Sequence, residues 1–302
     1  MLVKMLKNSK VVFYIMRKNG YEALRSVLNK KYLISHVVIG KNRLLVNDYN
    51  QEIKKLCKLN NIKYYYKGSE PKVHKSYYIF AISWRWMISH PNKNLIIFHD
   101  SILPKYRGFT PLVNMLINGE KKIGYSAIFG SKEYDKGDII ETKQSNISYP
   151  IKIYDAINKN NLNLKILVKN ILYKIFNSEK IKSKPQSQKR ASYSVWRNED
   201  DYFIDWKKSA VEIKRFIDAT GYPYLGAKTR YGKNLEIFIY DVEVYKDINC
   251  ENRDVGKVIF IDKKFPVVIC AKGLIKITHA KYNFKKKMKN FLPLKSMRIK
   301  FC

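Results

Sequence analysis

At 302 residues, 46% of them hydrophobic and 14% aromatic, the chain is long enough for one large domain or two ordinary ones and too apolar to stay disordered. Its formal net charge of +34 excludes a neutral surface and implies either phosphate-bearing partners or a lysine bias dispersed along the chain. Four scattered cysteines without a C-x-x-C pair give neither a disulfide framework nor a zinc site, so no metal is expected and a reducing cytoplasm fits.

The basic, briefly apolar start is followed by Arg17 and Lys18 where a cleavable leader would carry small residues, so it reads as a first strand. No run approaches the roughly 18 apolar residues of a membrane span, and no membrane partner is expected. Across the first 150 positions, short apolar runs alternate with helix-length amphipathic segments, the pattern of a mostly parallel α/β sheet. Strands are expected at 10–16, 33–39, 63–66, 77–83 and 95–99, with helices near 21–29, 48–60 and 111–118. Pro111 suits a first helical turn and Asn118-Gly119 an ending. Segments 122–129 and 139–147 read as a strand pair around a YDKGD turn.

A long helix fits 151–176, with Ile157, Leu164, Val168, Ile171 and Ile175 on one face. The polar stretch 183–190 reads as a linker, giving an N-terminal catalytic domain over 1–188 and a C-terminal β-rich domain over 189–302. After a short helix at 209–219, closely spaced strands at 235–240, 256–261, 266–271 and 274–279 suggest a small antiparallel barrel or sandwich.

Ligands of an open α/β sheet bind beyond the carboxyl ends of its strands, where His99 falls. An imidazole there can accept or donate a proton near neutral pH, and Asp135, returning in the YDKGD turn, could fix its tautomer. That pair suits transfer of a carbonyl-level group to an amine, whose tetrahedral intermediate also needs a donor for its oxyanion. A strand-end histidine with a purely structural role is the competing reading, because an aspartate in a D-K-G-D turn often bonds only its own backbone.

The segment HDSILPKYRG resembles the folate-dependent formyltransferase signature H-x-S-x-L-P-x-x-x-G through His99, Ser101, Leu103, Pro104 and Gly108. Asp135, Gly137 and Asp138 match the family's later D-x-G-D element. The resemblance implies a Rossmann-like formyltransferase fold closed by a small open barrel, and 10-formyltetrahydrofolate as co-substrate. It also implies a catalytic Asn–His–Asp trio. His99 and Asp135 carry over, but the Asn position holds Ile97 and Asn94 lies too far upstream to serve. Losing that donor is worth about 2.7–4 kcal/mol by analogy with a deleted oxyanion-hole group, so a replacement donor is expected.

By the same resemblance, Ser83, Trp84, Arg85, Trp86 and Met87 line the pterin pocket, with Ser131, Glu133, Tyr134 and Lys136 on its opposite wall. Trp84 and Trp86 acting only as core aromatics is the alternative. Beyond position 190, Tyr202–Trp206 with Ser209, Ala210, Ile213, Pro223, Tyr224, Gly226 and Ala227 resemble the C-terminal domain of methionyl-tRNA and 4-amino-arabinose formyltransferases. The turn KYRGFTPL departs from the R-x-R-G-A-A-P-I-like form of the tRNA enzymes. The resemblance therefore implies a sugar N-formyltransferase acting on a nucleotide-linked amino sugar in surface polysaccharide synthesis, with methionyl-tRNA formyltransferase as the alternative. A nucleic-acid partner belongs only to that alternative. Lys105, Tyr106 and Arg107 would contact the nucleotide diphosphate and Trp196 and Arg197 the base or sugar. A homodimer is compatible with the resemblance.

Overall fold

The computed structural model describes residues 10–42, 45–232, 235–284, 287–294 and 296–302. It divides into two compact units, one of residues 1–112, 121–147 and 155–195, the other of residues 113–120, 148–154 and 196–302.

The first unit is built on a sheet of seven strands, β1 (Val11–Ile15), β2 (Ile34–Ile39), β3 (Tyr64–Tyr66), β4 (Tyr78–Ile82), β5 (Leu95–His99), β7 (Lys122–Phe129) and β8 (Ile139–Asn146). Their order across the sheet is β3-β2-β1-β4-β5-β7-β8. The first five are parallel, while β7 runs antiparallel to both β5 and β8. Continuous burial of VVFYI in β1 is what a strand covered on both faces requires. Helices α1 (Arg17–Arg25) and α2 (Asn50–Leu59) connect successive parallel strands, and α3 (Pro111–Ile117) follows β6 (Arg107–Gly108).

The long helix α4 (Ile153–Phe176) lays Leu164, Leu167, Val168, Ile171, Leu172 and Ile175 into one core with Val11, Phe13 and Ile15. Each such fully buried aliphatic side chain is worth about 1.5–3 kcal/mol. The polar stretch expected to be a linker is instead packed. Lys184 and Ile139 exchange backbone hydrogen bonds, Gln186 is buried, and β9 (Tyr193–Ser194) pairs in parallel with β6.

In the second unit, α5 (Ala210–Thr220) starts at a capping box in which the Ser209 hydroxyl accepts from the Glu212 amide and the Glu212 carboxylate accepts from the Ser209 amide. Six antiparallel strands follow. These are β10 (Ala227–Tyr231), β11 (Leu235–Tyr245), β12 (Val258–Asp262), β13 (Phe265–Ile269), β14 (Leu274–Phe284) and β15 (Lys287–Asn290), in the order β10-β11-β14-β13-β12 with β15 against β14. Segment 299–302 joins the two ends of that path. Arg230 and Cys302 exchange backbone bonds of 2.9 and 3.0 Å, and the Val258 amide donates to Ile299 at 2.9 Å. The Phe301 amide donates to Gly256 at 2.8 Å, so the sheet closes on itself. The expected small barrel is present, with β10, β15 and this closing segment added.

Candidate active site

His99 terminates β5, and Ile97, two residues earlier, shares its face of the sheet. The imidazole is 6% exposed and has two partners. Its Nε2 lies 2.8 Å from the Tyr106 carbonyl, and its Nδ1 lies 3.4 Å from Asp135 Oδ1. A carbonyl only accepts, so Nε2 carries a proton, which leaves Nδ1 turned to the carboxylate.

The turn after β5 is built to place that carbonyl. Ser101 Oγ donates to the Lys105 carbonyl at 2.7 Å, and Ser126 Oγ receives the Leu103 amide while donating to the Ser101 carbonyl. Gly108, at φ +97, lies so near the Ser194 carbonyl that a Cβ would sit 2.5 Å from that oxygen, which no other residue could accommodate. Its amide donates to Asp135 Oδ2 at 2.8 Å, fixing the carboxylate on one oxygen while the other faces His99.

Asp135 adopts a left-handed φ of +56, a conformation that costs a non-glycine residue free energy and is held by its surroundings. Gln186 supplies part of that hold through its Nε2, 2.7 Å from the carbonyls of both Asp135 and Gly137. A Cβ at Gly137 would meet the Phe129 carbonyl at 1.7 Å, so this turn closes against β7 only with glycine there.

A narrow cavity of about 100 Å³ opens beside the pair, walled by Arg17, Ser83, Trp84, Arg85, Ile97, His99, Asp100, Thr110, Tyr134 and Asp135 among others. Burial pushes the Asp100 carboxyl above the ordinary carboxylate range, opposed by the positive charges of His99 and Arg17 nearby. Trp84 also walls a wider cavity of about 810 Å³ together with Tyr14, Trp86, Met87, His90 and several lysines. Its ring meets Tyr14 and Trp86 edge-on, each at 5.0 Å, and burial pushes the Tyr14 phenol up to about 12. Both tryptophans line cavities, Trp84 while also packing on the core around Val12, Val38 and Ile79, and Lys67 and Arg85 each stand 4.7 Å over the Trp86 ring.

Other sequence-derived candidates separate. Tyr134 reaches the narrow cavity and packs on Phe109 at 5.8 Å. Ser131 instead donates to the Glu133 carbonyl, and Lys136 pairs with the Glu133 carboxylate. Lys105 is exposed, and Tyr106 contributes its carbonyl to His99. Arg107, expected on a diphosphate, is instead fully buried. Its Nε and Nη2 donate to Gln186 Oε1 at 3.0 and 2.9 Å, and Nη1 donates to Gln188 Oε1 at 2.8 Å, so it braces the turn rather than meeting a ligand. Trp196 and Arg197 begin the last and longest segment of the second unit. Trp196 is exposed, whereas Arg197 is engaged with the Asn114 carboxamide and the Asp201 carbonyl. Sequence reasoning passed over Arg17, Asp100 and Gln186. Asp100 carried a signal through its adjacency to His99, but Gln186 carried none. Among the described residues no cluster of His, Cys, Asp and Glu could hold a metal ion, and no helix is long and apolar enough to cross a membrane.

Two family models match the chain, "Formyl transferase" over residues 81–168 and "Formyl transferase, C-terminal domain" over 197–295. A methionyl-tRNA formyltransferase of Thermotoga neapolitana is 30% identical over 214 residues, covering 70% of this chain and 66% of its own length. One of Alkaliphilus oremlandii is 31% identical over 203 residues, covering 66% and 62%. The matched segments thus span about two thirds of these relatives or slightly less. Among solved structures, WlaRD, a sugar 3N-formyl transferase with dTDP and 5-N-formyl-THF, superposes with a TM-score of 0.65 at 17% identity, over 94% of this chain and 98% of that one. The Helicobacter canadensis N-formyltransferase with folinic acid and dTDP-3-aminofucose gives a TM-score of 0.65 at 17% identity, over 89% and 98%. At such identity these two establish a shared fold.

Proposed function

The chain belongs to the formyl transferase family, and we propose that within it this protein transfers the formyl group of 10-formyltetrahydrofolate to the amine of a nucleotide-linked amino sugar. The observation that carries the transfer is the His99 imidazole, held with Nε2 on a carbonyl and Nδ1 on an anchored aspartate at the rim of a strand-end cavity. The aromatic wall of Trp84, Trp86 and Met87 suits a flat pterin ring, and the narrow cavity suits the formyl carbon and the incoming amine. Folate supplies the formyl group. The amine's proton passes to the His99–Asp135 pair, where the carboxylate facing Nδ1 at 3.4 Å shares it and balances the charge the imidazole carries. His99 is then placed to return that proton to the folate nitrogen as the carbon–nitrogen bond breaks.

For the acceptor, the turn KYRGFTPL and the near-complete coverage of two sugar N-formyltransferase structures favour a sugar amine. Their bound dTDP and dTDP-3-aminofucose make a dTDP-linked 3-amino sugar the first candidate. A second reading, formylation of methionyl-tRNA, is supported by the names of the sequence relatives and by the net charge of +34. Either reaction is placed in the cytoplasm, and the sugar reading places it in surface polysaccharide synthesis.

Incubation with 10-formyltetrahydrofolate and a panel of dTDP-, UDP- and GDP-linked 3- and 4-amino sugars tests the proposal. Release of tetrahydrofolate with at least one sugar, abolished by His99→Ala, is the expected result. Turnover with methionyl-tRNA and none with any sugar nucleotide overturns the sugar reading.

A further inference from the structure

Acyl transfer to an amine drives the carbonyl electron pair onto oxygen, and a site of this class needs a donor where that charge gathers. On the sheet face that carries His99, the residue two positions before it is Ile97, which has no donor to offer. Arg17 lies in the wall of the same narrow cavity as Ile97 and His99. It follows β1 and begins α1 at a left-handed φ of +61, with its amide bonded to the Asp48 carbonyl at 3.2 Å. Its Nε is buried and has no hydrogen-bond partner. A buried guanidinium donor without an acceptor is costly unless something else occupies it during function. The charge of Arg17 also opposes the burial effect on Asp100, the neighbour of His99, as a guanidinium close to that carboxylate would.

We propose that Arg17 supplies the oxyanion donor that Ile97 cannot, a catalytic role that rests on the formyl-transfer reading above. The amine lone pair forms the new carbon–nitrogen bond, and the formyl π pair moves to oxygen against the Arg17 guanidinium. Collapse of the intermediate restores the carbonyl and breaks the bond to the folate nitrogen. That nitrogen receives through His99 the proton the amine lost, so no further reactant is needed. An arginine in this role differs from an amide by carrying a full charge, which a charge-assisted hydrogen bond uses to greater effect.

The experiment compares wild type, Arg17→Met, Ile97→Asn and the double variant for formyl transfer, with 5-N-formyl-THF binding followed separately by tryptophan fluorescence. Arg17→Met is expected to lower kcat by about 10²–10³-fold, the effect of deleting one oxyanion donor, with folate affinity little changed. Ile97→Asn is expected to recover about tenfold or more in the Arg17→Met background, because the two donors serve one oxygen. Arg17 holding structure alone would show no such rescue. A kcat retained in Arg17→Met overturns the inference, as does a loss that Ile97→Asn leaves unrescued. Wild type that neither binds the folate nor turns over overturns the formyl-transfer reading instead, so the two failures are told apart.

Discussion

Gln186 donates a 2.7 Å hydrogen bond to the carbonyl of Asp135, so the residue that orients His99 is itself held by a side chain 51 positions further along. The same carboxamide accepts from Arg107 through its oxygen, which ties the turns on both sides of the imidazole to one group.

Gln186→Leu therefore removes two bonds from the Asp135 turn and leaves part of a buried guanidinium without its acceptor. Stranding a buried charged donor costs roughly 2–3 kcal/mol. Urea unfolding followed by circular dichroism should show that loss, and kcat should fall with it. An unchanged unfolding midpoint would contradict the bracing role of the pair.

Asp135→Asn keeps an oxygen for the Gly108 amide but removes the charge facing His99 Nδ1. Loss of a base-orienting carboxylate typically lowers kcat on the order of 10²–10⁴-fold while leaving the fold intact. Steady-state kinetics beside a thermal melt separates the two effects. Wild-type kcat in this variant would show that the carboxylate plays no part in the chemistry.

Deleting residues 299–302 takes away the backbone bonds at Arg230, Val258 and Gly256 that close the second sheet. It also removes buried Ile299 and Phe301, the latter stacked on Trp206 at 5.8 Å. Hydrogen exchange should then quicken in β10 and β12 while the seven-stranded sheet keeps its protection. Uniform exchange across the chain would argue against this seam.

Asp218 is buried on α5, and its desolvation raises its carboxyl above the ordinary value of 3.8 despite two Lys214 hydrogen bonds of 2.9 and 2.8 Å. The folded state thus binds this proton more readily than the unfolded state does. The stabilising contribution of protonation is present at low pH and is lost as pH rises from 3.8 through the raised value. Asp218→Asn should flatten that part of the stability–pH curve, measurable by denaturant titration at several acidic pH values. A curve identical to wild type would contradict the assignment.

The parallel strands were legible because burial on both faces leaves unbroken apolar runs such as VVFYI and YIFAI. The His99–Asp135 pair was legible because the histidine closes such a run. β10 was not, since AKTRY presents a lysine and a threonine to the interior. Lys228 is buried there beside Glu236 and between the Phe203 and Phe238 rings, and Thr229 accepts the Trp206 indole N–H at 3.0 Å. Such pairings are satisfied only by tertiary neighbours, which local pattern does not reveal. Gln186 and Arg107 escaped notice for the same reason. Among serines, lysines and glutamines, Gln186 has the character of linker, and within KYRG, Arg107 has that of a solvated cation. The basic KKKMK run lies partly outside the described residues, and its remainder falls in exposed β15.

The closing segment of the second unit has a consequence for self-association. Exposed strand edges invite another chain to add a strand, the route by which β-rich domains polymerise. Segment 299–302 occupies the outer edges of β10 and β12, and β15 carries Lys287 and Lys289 on its exposed strand. Strand addition is blocked at that seam, so the second unit cannot lengthen its sheet through the outer edge of β10 or of β12.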